Sequence, residues 1–297
     1  MNITLTGSSG FAGTNLSNYL KGFDIQTLSL RYQPNQKIQL AHTEAIVHLA
    51  GKAHDLKNVS QPEDYYQANF ELTKQLYDAF LKSDATKFIF ISSVKAVADG
   101  VSGTLTEDEK PNPQTHYGKS KRMAEEYIQA QHLSEGKKYY ILRPCMIHGP
   151  GNKGNLNLLY QLVKKGIPYP LAAFDNRRSF LSVENLCFVI KELLEQDIPS
   201  GTYNIADDDS LSTTELVMLI AETLQQKPRL WNIPAPLINT LAKAGDYLKL
   251  PLNSEKLQKL TENYCVSNQK IKEALGKDLP ITARDGLRRT IRSFEES

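Results

Sequence analysis

Tyr117 and Lys121 stand four residues apart in the run Tyr117-Gly-Lys-Ser-Lys121, with Ser93 upstream of both. On one helix such a pair shares a face, so the ammonium lies beside the phenol and can lower its pKa. A phenol near pKa ~10 is a poor base at neutral pH. Once its pKa is lowered it can take a proton from a sugar or alcohol hydroxyl, or return one to a carbonyl. A hydroxyl such as that of Ser93 could hold the same oxygen. Each piece alone has an ordinary structural reading, the pair as a solvated helix surface and the serine as a turn or cap. Their order points to hydride transfer beside a bound dinucleotide, because the chain opens with Gly7-Ser-Ser-Gly10-Phe-Ala-Gly13 between an apolar strand and an apolar helix.

Those glycines have separate tasks. Gly7 permits a tight turn, Gly10 lets the backbone approach phosphate, and Gly13 lets the helix pack closely on the strand. The helix that opens at Phe11 and Ala12 then offers its N-terminal amides and positive dipole end to a pyrophosphate. The spacing is GxxGxxG.

The elements that must position these groups read as alternating strands and helices, the pattern of parallel βαβ units. Strands are expected at 3–6, 25–30, 45–50 and 87–92, with helices at 11–21 and 65–82. The run Phe88-Ile-Phe-Ile91 is apolar enough that both faces of its strand must be covered. Ser93 follows at the carboxyl end of that strand, where open α/β sheets form their ligand crevice, so it and the glycine loop should open onto one cleft. The fold class is α/β, a doubly wound parallel sheet with a smaller mixed α/β domain. The larger domain spans 1–154 and is rejoined by about 180–205, leaving 155–179 and 206–297 for the smaller one. In the latter, Ser212-Thr-Thr-Glu215 is a capping box, and Trp231 to Pro236 a rigid connection.

With 35 Lys+Arg against 33 Asp+Glu, the net charge of +2 across 297 residues is too balanced for a nucleic-acid or membrane-surface protein. Cys145, Cys187 and Cys265 are far apart and make neither a disulfide framework nor a zinc site, so no metal is expected. The acids Asp207-Asp-Asp209 read as solvated. A first strand beginning at about Asn2 leaves no room for a secretion signal, and no apolar run approaches a bilayer span. These features suit a cytoplasmic enzyme of small molecules. His48 and His148 are given no catalytic role, and His54 is a residue that could border the cleft.

The sequence resembles the extended short-chain dehydrogenase/reductases of the NAD-dependent epimerase/dehydratase family, which act on nucleotide-activated sugars and share a Rossmann dinucleotide fold. Further matching pieces are Leu142-Arg-Pro144, His148-Gly-Pro-Gly151, Arg178-Ser-Phe-Leu-Ser-Val183 and Gly201-Thr-Tyr-Asn-Ile205. The resemblance implies that Ser93, Tyr117 and Lys121 are catalytic and that Lys121 also holds the nicotinamide ribose. It places Gly7, Gly10, Phe11, Ala12, Gly13, Leu49 and Ala50 at the cofactor. Asn155 and Leu156 would contact the substrate, and Arg178 its diphosphate. It also implies a homodimer through the helices around 65–82 and 117–131.

Departures from the family pattern narrow the expectation. Val94-Lys95 follow Ser93 where the 4,6-dehydratases carry Asp-Glu, which argues against dehydration. Ser29, with Arg31 two residues on, replaces the acid that bonds the adenosine ribose. An acid would repel a 2′-phosphate whereas Arg31 would attract one, so NADP stands beside NAD as the cofactor unless Arg31 points into solvent. About a dozen residues, 32–43, replace the usual strand and helix of the next crossover. Met146 stands where many epimerases have asparagine. The expected reaction is hydride transfer at C-4 of a nucleoside-diphosphate hexose, a UDP-sugar by preference. The balance leans slightly to a 4-ketosugar reductase over a 4-epimerase that retains NAD. A non-catalytic dinucleotide sensor or scaffold is the alternative of another class.

Overall fold

A computed structural model describes residues 1–53, 61–152, 155–248 and 253–295. Its elements run β1 (Asn2–Thr6), α1 (Phe11–Tyr19), β2 (Asp24–Leu28), β3 (Ala45–His48), α2 (Pro62–Tyr66), a π-helical turn (Gln67–Glu71) and α3 (Leu72–Lys82). There follow β4 (Lys87–Ile91), a 3-10 turn (Val94–Ala96), β5 (Thr104–Leu105), α4 (His116–Ala130), β6 (Lys138–Pro144), β7 (Met146–His148) and α5 (Asn155–Lys164). The remainder comprises β8 (Arg178–Ser182), α6 (Val183–Glu195), β9 (Gly201–Ile205), β10 (Ser210–Leu211), α7 (Thr213–Thr223), α8 (Ala235–Leu248), α9 (Ser254–Thr261), β11 (Cys265–Val266), α10 (Gln269–Leu275) and α11 (Ala283–Ser293).

Strand β4 has a side chain pointing to each face in turn, and both faces are buried. Ile89 and Ile91 join Leu16 of α1, Leu20 just after it, and Leu186, Val189, Ile190 and Leu193 of α6 in one core. Phe88 joins Tyr77 and Phe80 of α3 and Ile128 of α4 in the other, with the Tyr77 and Phe88 rings edge to face at 4.9 Å. Two covered faces are what a parallel sheet requires. The six strands lie in the order β2-β1-β3-β4-β6-β9, every neighbouring pair parallel, and the chain is a doubly wound α/β fold. The order reverses about β1, so a crevice opens beyond the carboxyl ends of β1 and β3.

A third core gathers Leu156 and Tyr160 of α5, Leu216 and Ile220 of α7, Ile238 of α8 and Leu287 and Ile291 of α11 around Phe180 of β8. The capping box forms as expected, with Glu215 N donating to Ser212 Oγ and Ser212 N to Glu215 Oε2. Strand β8 does not enter the six-stranded sheet; it pairs parallel with β7 and antiparallel with β10, whereas β9 lies beside β6.

Two local features matter for the crevice. The link from β2 to β3 contains no helix or strand, and Leu30, Ile38 and Leu40 pack on the α3–α4 core instead. The helix expected at 65–82 is interrupted by the π-helical turn, whose ladder holds an additional residue per turn. That turn places Asn69 fully inside the protein. The three cysteines are free thiols. Among the described residues no helix is long and apolar enough to cross a membrane, and no group of side chains could hold a metal ion.

Candidate active site

The turn after β1 is closed by its neighbours. Gly7 has φ +71, and a Cβ there would lie 2.6 Å from Ala50 N. A Cβ on Gly13 would fall 2.1 Å from Gly7 O, so α1 rests directly on the turn. Thr6 fastens the loop after β3: its Oγ1 accepts from Ala50 N at 3.2 Å and bonds His48 Nδ1 at 2.7 Å, while its carbonyl accepts from Leu49 N at 3.3 Å. Gly10 faces the open side, where a Cβ would meet Gly7 O alone, at 3.3 Å. Helix α1 begins there with no side-chain cap and no acid in its first turn, leaving the amides of Phe11, Ala12 and Gly13 for an anion. This cradle fits the pyrophosphate of a dinucleotide. Ser29 and Arg31 are exposed just beyond β2, which pairs with β1 beside it.

Ser93, Tyr117 and Lys121 are brought together where β4 ends. Ser93 is extended, caps the 3-10 turn by accepting from Lys95 N at 3.2 Å, and hydrogen-bonds Tyr117. Tyr117 is in the first turn of α4, which Thr115 caps. One turn on, Lys121 reaches back so that its Nζ donates to Ile91 O at 2.8 Å, and a Cβ on Gly51 would lie 3.1 Å from that nitrogen. The ammonium therefore lies between the ends of β3 and β4.

The electrostatics differ from the expectation that Lys121 depresses the tyrosine. Burial raises the Tyr117 pKa, the Ser93 hydrogen bond opposes that, and nearby Tyr65, whose ring stands edge-on at 6.4 Å, raises it further. Burial also brings Lys121 down to about 8, with Glu125 opposing. His48 is lowered to about 3 by burial and then by Lys121; held between Thr6 Oγ1 and Thr73 Oγ1 (2.9 Å), it is a neutral structural group.

Asn69 was not singled out by sequence. Its Oδ1 accepts from Lys52 N at 2.7 Å, and its Nδ2 donates to Lys52 O at 2.9 Å and Ser120 Oγ at 3.0 Å. Ser120 in turn donates to Tyr117 O at 2.9 Å, so Asn69 ties the loop beyond β3 to the tyrosine's turn. The available signal was an amide on the apolar stripe that Thr73, Leu76 and Phe80 continue.

The substrate side is less direct. Arg178, at the start of β8, is partly buried; Nε donates to Glu262 O at 3.2 Å and Nη2 lies 3.8 Å from Glu262 Oε1. The Leu156 side chain is in the third core, so only its backbone could meet a ligand. Asn155 opens α5, and its side chain, like all of His54, lies outside the described residues. Asp207 is buried, contrary to the solvated reading: both oxygens accept from Ser182 N, and Oδ1 also from Asn185 Nδ2 at 2.7 Å. His148 is buried too, bonded to Thr290 at 2.9 Å. Met146 is 37% exposed.

A phosphate-binding turn at the switch point of a parallel sheet, with a serine, tyrosine and lysine gathered at the end of β4, defines a dinucleotide-dependent enzyme of the α/β class. Residues 3–206 match the model of the NAD dependent epimerase/dehydratase family, and the chain belongs to that family. It is 31% identical to a UDP-glucose 4-epimerase of Vibrio cholerae over 98% of this chain and 95% of the relative. It is 28% identical to an N-acetyl-alpha-D-glucosaminyl-diphospho-ditrans,octacis-undecaprenol 4-epimerase of Escherichia coli O157:H7, over 98% of this chain and 94% of that one. Among solved structures, RMD from Pseudomonas aeruginosa complexed with NADPH superposes with a TM-score of 0.74 at 21% identity, covering 100% of this chain and 99% of that one. The last likeness is one of fold.

Two outcomes follow from this geometry. Gly10→Ala leaves the melting temperature unchanged and weakens NAD(H) and NADP(H) binding by roughly ten-fold, measured by calorimetry, because the added methyl fills the face left for phosphate. Burial brings Lys121 down to about 8 from its ordinary 10.5, so between these values the unfolded chain keeps a proton that the folded one has shed. Stability from this group therefore rises with pH across that window. The urea midpoint of wild type should rise relative to Lys121→Met between pH 8 and 10, by the equivalent of about 1 to 3 kcal/mol.

Proposed function

We propose that the protein exchanges a hydride between C-4 of a nucleoside-diphosphate hexose and a nicotinamide dinucleotide. The observation that carries this reading is the hydrogen bond between Ser93 and Tyr117 beside the Lys121 ammonium, opposite the glycine turn. Gly7, Gly10, Phe11, Ala12 and Gly13 would hold the pyrophosphate, Leu49 and Ala50 would line the nicotinamide side, and Lys121 would hold the ribose. When bound, the dinucleotide takes the hydride from C-4 or gives it to the carbonyl there, and its oxidised ring brings a positive charge. Tyr117 Oη removes the C-4 hydroxyl proton or returns it, and Ser93 Oγ holds the same oxygen. Burial keeps Tyr117 protonated in the chain alone, so it is a donor at rest and becomes a base only beside added positive charge. Residues 155–179 and 206–297 would form the substrate lobe, with Arg178 meeting the diphosphate. That group is common to the UDP-sugar and lipid-linked substrates for which the two relatives are named.

The finer reading is reduction of a UDP-linked 4-keto sugar by NADPH. It rests on the exposed Ser29 and Arg31 at the end of β2, a site suited to a 2′-phosphate. A second reading, 4-epimerisation with retained NAD, is supported by the 31% identity to a UDP-glucose 4-epimerase over nearly the whole of both chains.

The two separate on denaturing the purified protein and identifying the dinucleotide released. An empty protein that then binds NADPH much more tightly than NADH supports the reductase, and near-stoichiometric NAD refutes it in favour of the epimerase. Tyr117→Phe is expected to lose turnover by at least about a hundred-fold while cofactor affinity is kept. Turnover equal to wild type would remove Tyr117 from the mechanism.

A further inference from the structure

Three consecutive residues at the end of β4 each engage one side chain of α4. The Ile91 carbonyl accepts from Lys121, Ser92 Oγ donates to Glu125 Oε1 at 2.5 Å, and Ser93 bonds Tyr117. Tyr117, Lys121 and Glu125 follow at steps of four and so lie along one face of the helix. Glu125 is fully buried, and Arg143 of β6 grips it from the sheet side with Nε 2.9 Å from Oε1 and Nη2 2.6 Å from Oε2. Arg122 adds a longer contact, Nη1 to Oε2 at 3.5 Å. A two-point fork of this kind fixes the direction of a carboxylate as well as its place.

A buried ion pair is not in itself a source of net stability, because both charges must leave water. Its position here gives it another role. Ser92 N donates to Leu142 O at 2.7 Å, extending the sheet ladder by one residue, so Ser92 is pinned by its backbone to β6 and by its hydroxyl to α4. The next peptide leads directly to Ser93. Releasing the Ser92 hydroxyl would leave that peptide freer to turn, which would let Ser93 Oγ keep its contact with Lys95 N and lose the one with Tyr117.

We propose that Glu125, oriented by Arg143, is a positioning residue that acts through the Ser92 hydroxyl to hold Ser93 against Tyr117. The inference rests on the reading of Tyr117 as the proton-exchanging group, and its test is separable from that reading. The Tyr117 resonance is identified in ring-labelled tyrosine NMR by its loss in Tyr117→Phe, and its pH titration is followed in the NAD-loaded protein. The Ser93 hydrogen bond lowers the Tyr117 pKa, so Ser92→Ala is expected to raise it by about one unit, and Ser92→Thr, which keeps the hydroxyl, to restore it. Glu125→Gln should move it in the same direction. Should that variant fail to fold, the two Ser92 variants decide the matter, since both leave the ion pair intact. An unchanged Tyr117 titration in Ser92→Ala, or an equal change in Ser92→Thr, overturns the proposal. Wild-type turnover by Tyr117→Phe would instead overturn the reading beneath it and leave the titration result standing.

Discussion

Burial of the end of β4 beneath α4 governs the chemistry available at this site. Three ionisable groups meet there, and removal from water pushes each toward its neutral form: His48 down to about 3, Lys121 down to about 8, and Tyr117 upward. Glu125 opposes the effect on Lys121 and Ser93 opposes it on Tyr117, but burial is the larger cause in both. The chain alone therefore holds a phenol that donates and an ammonium only partly protected from deprotonation. On the proposed mechanism, the charge that turns the phenol into a base would arrive with the dinucleotide, and proton exchange would be coupled to occupancy of the glycine turn.

The glycine turn and the tyrosine's turn are linked by hydrogen bonds. Thr6 touches both the loop after β3 and His48, while Asn69 joins the same loop, through Lys52, to Ser120 and the tyrosine's turn. Asn69 belongs to the π-helical turn between α2 and α3. It continues the buried stripe of Thr73, Leu76 and Phe80, so an amide stands where that face turns inward. Both ends of its amide are hydrogen-bonded, where an unsatisfied buried amide would be costly.

Much of this was legible from patterning. The unbroken apolar run Phe88-Ile-Phe-Ile91 dictated a strand covered on both faces, and the glycine spacing pointed to the turn. The missing chain between β2 and β3 correctly excluded a further strand and helix. What patterning could not convey was contact between residues distant in sequence. The solvated reading of Asp207 failed because Ser182 and Asn185, from another element, supply its donors. The Leu156 side chain turns into the third core, which leaves its backbone for the substrate contact that the resemblance implies. In the chain alone the Tyr117 pKa is raised rather than lowered, because a four-residue spacing conveys charge proximity and nothing of burial, and Lys121 spends its ammonium on the Ile91 carbonyl.

Arg178 shows how the two ends of the cleft are joined. Its partner Glu262 is two residues from Tyr264, whose backbone N donates to Arg177 O at 2.8 Å and whose hydroxyl donates to Ala98 O at 2.6 Å. Lys95, in the turn capped by Ser93, holds its ammonium 4.3 Å from the centre of the Tyr264 ring. One aromatic side chain thus spans from the strand that carries Arg178 to the turn that carries Ser93. On the proposed reading, a diphosphate arriving at Arg178 would compete with Glu262 for the guanidinium. Tyr264 would then link the residue proposed to hold the diphosphate to the turn of the serine proposed to hold the sugar oxygen, so the reach between the two would favour diphospho-sugars of matching length.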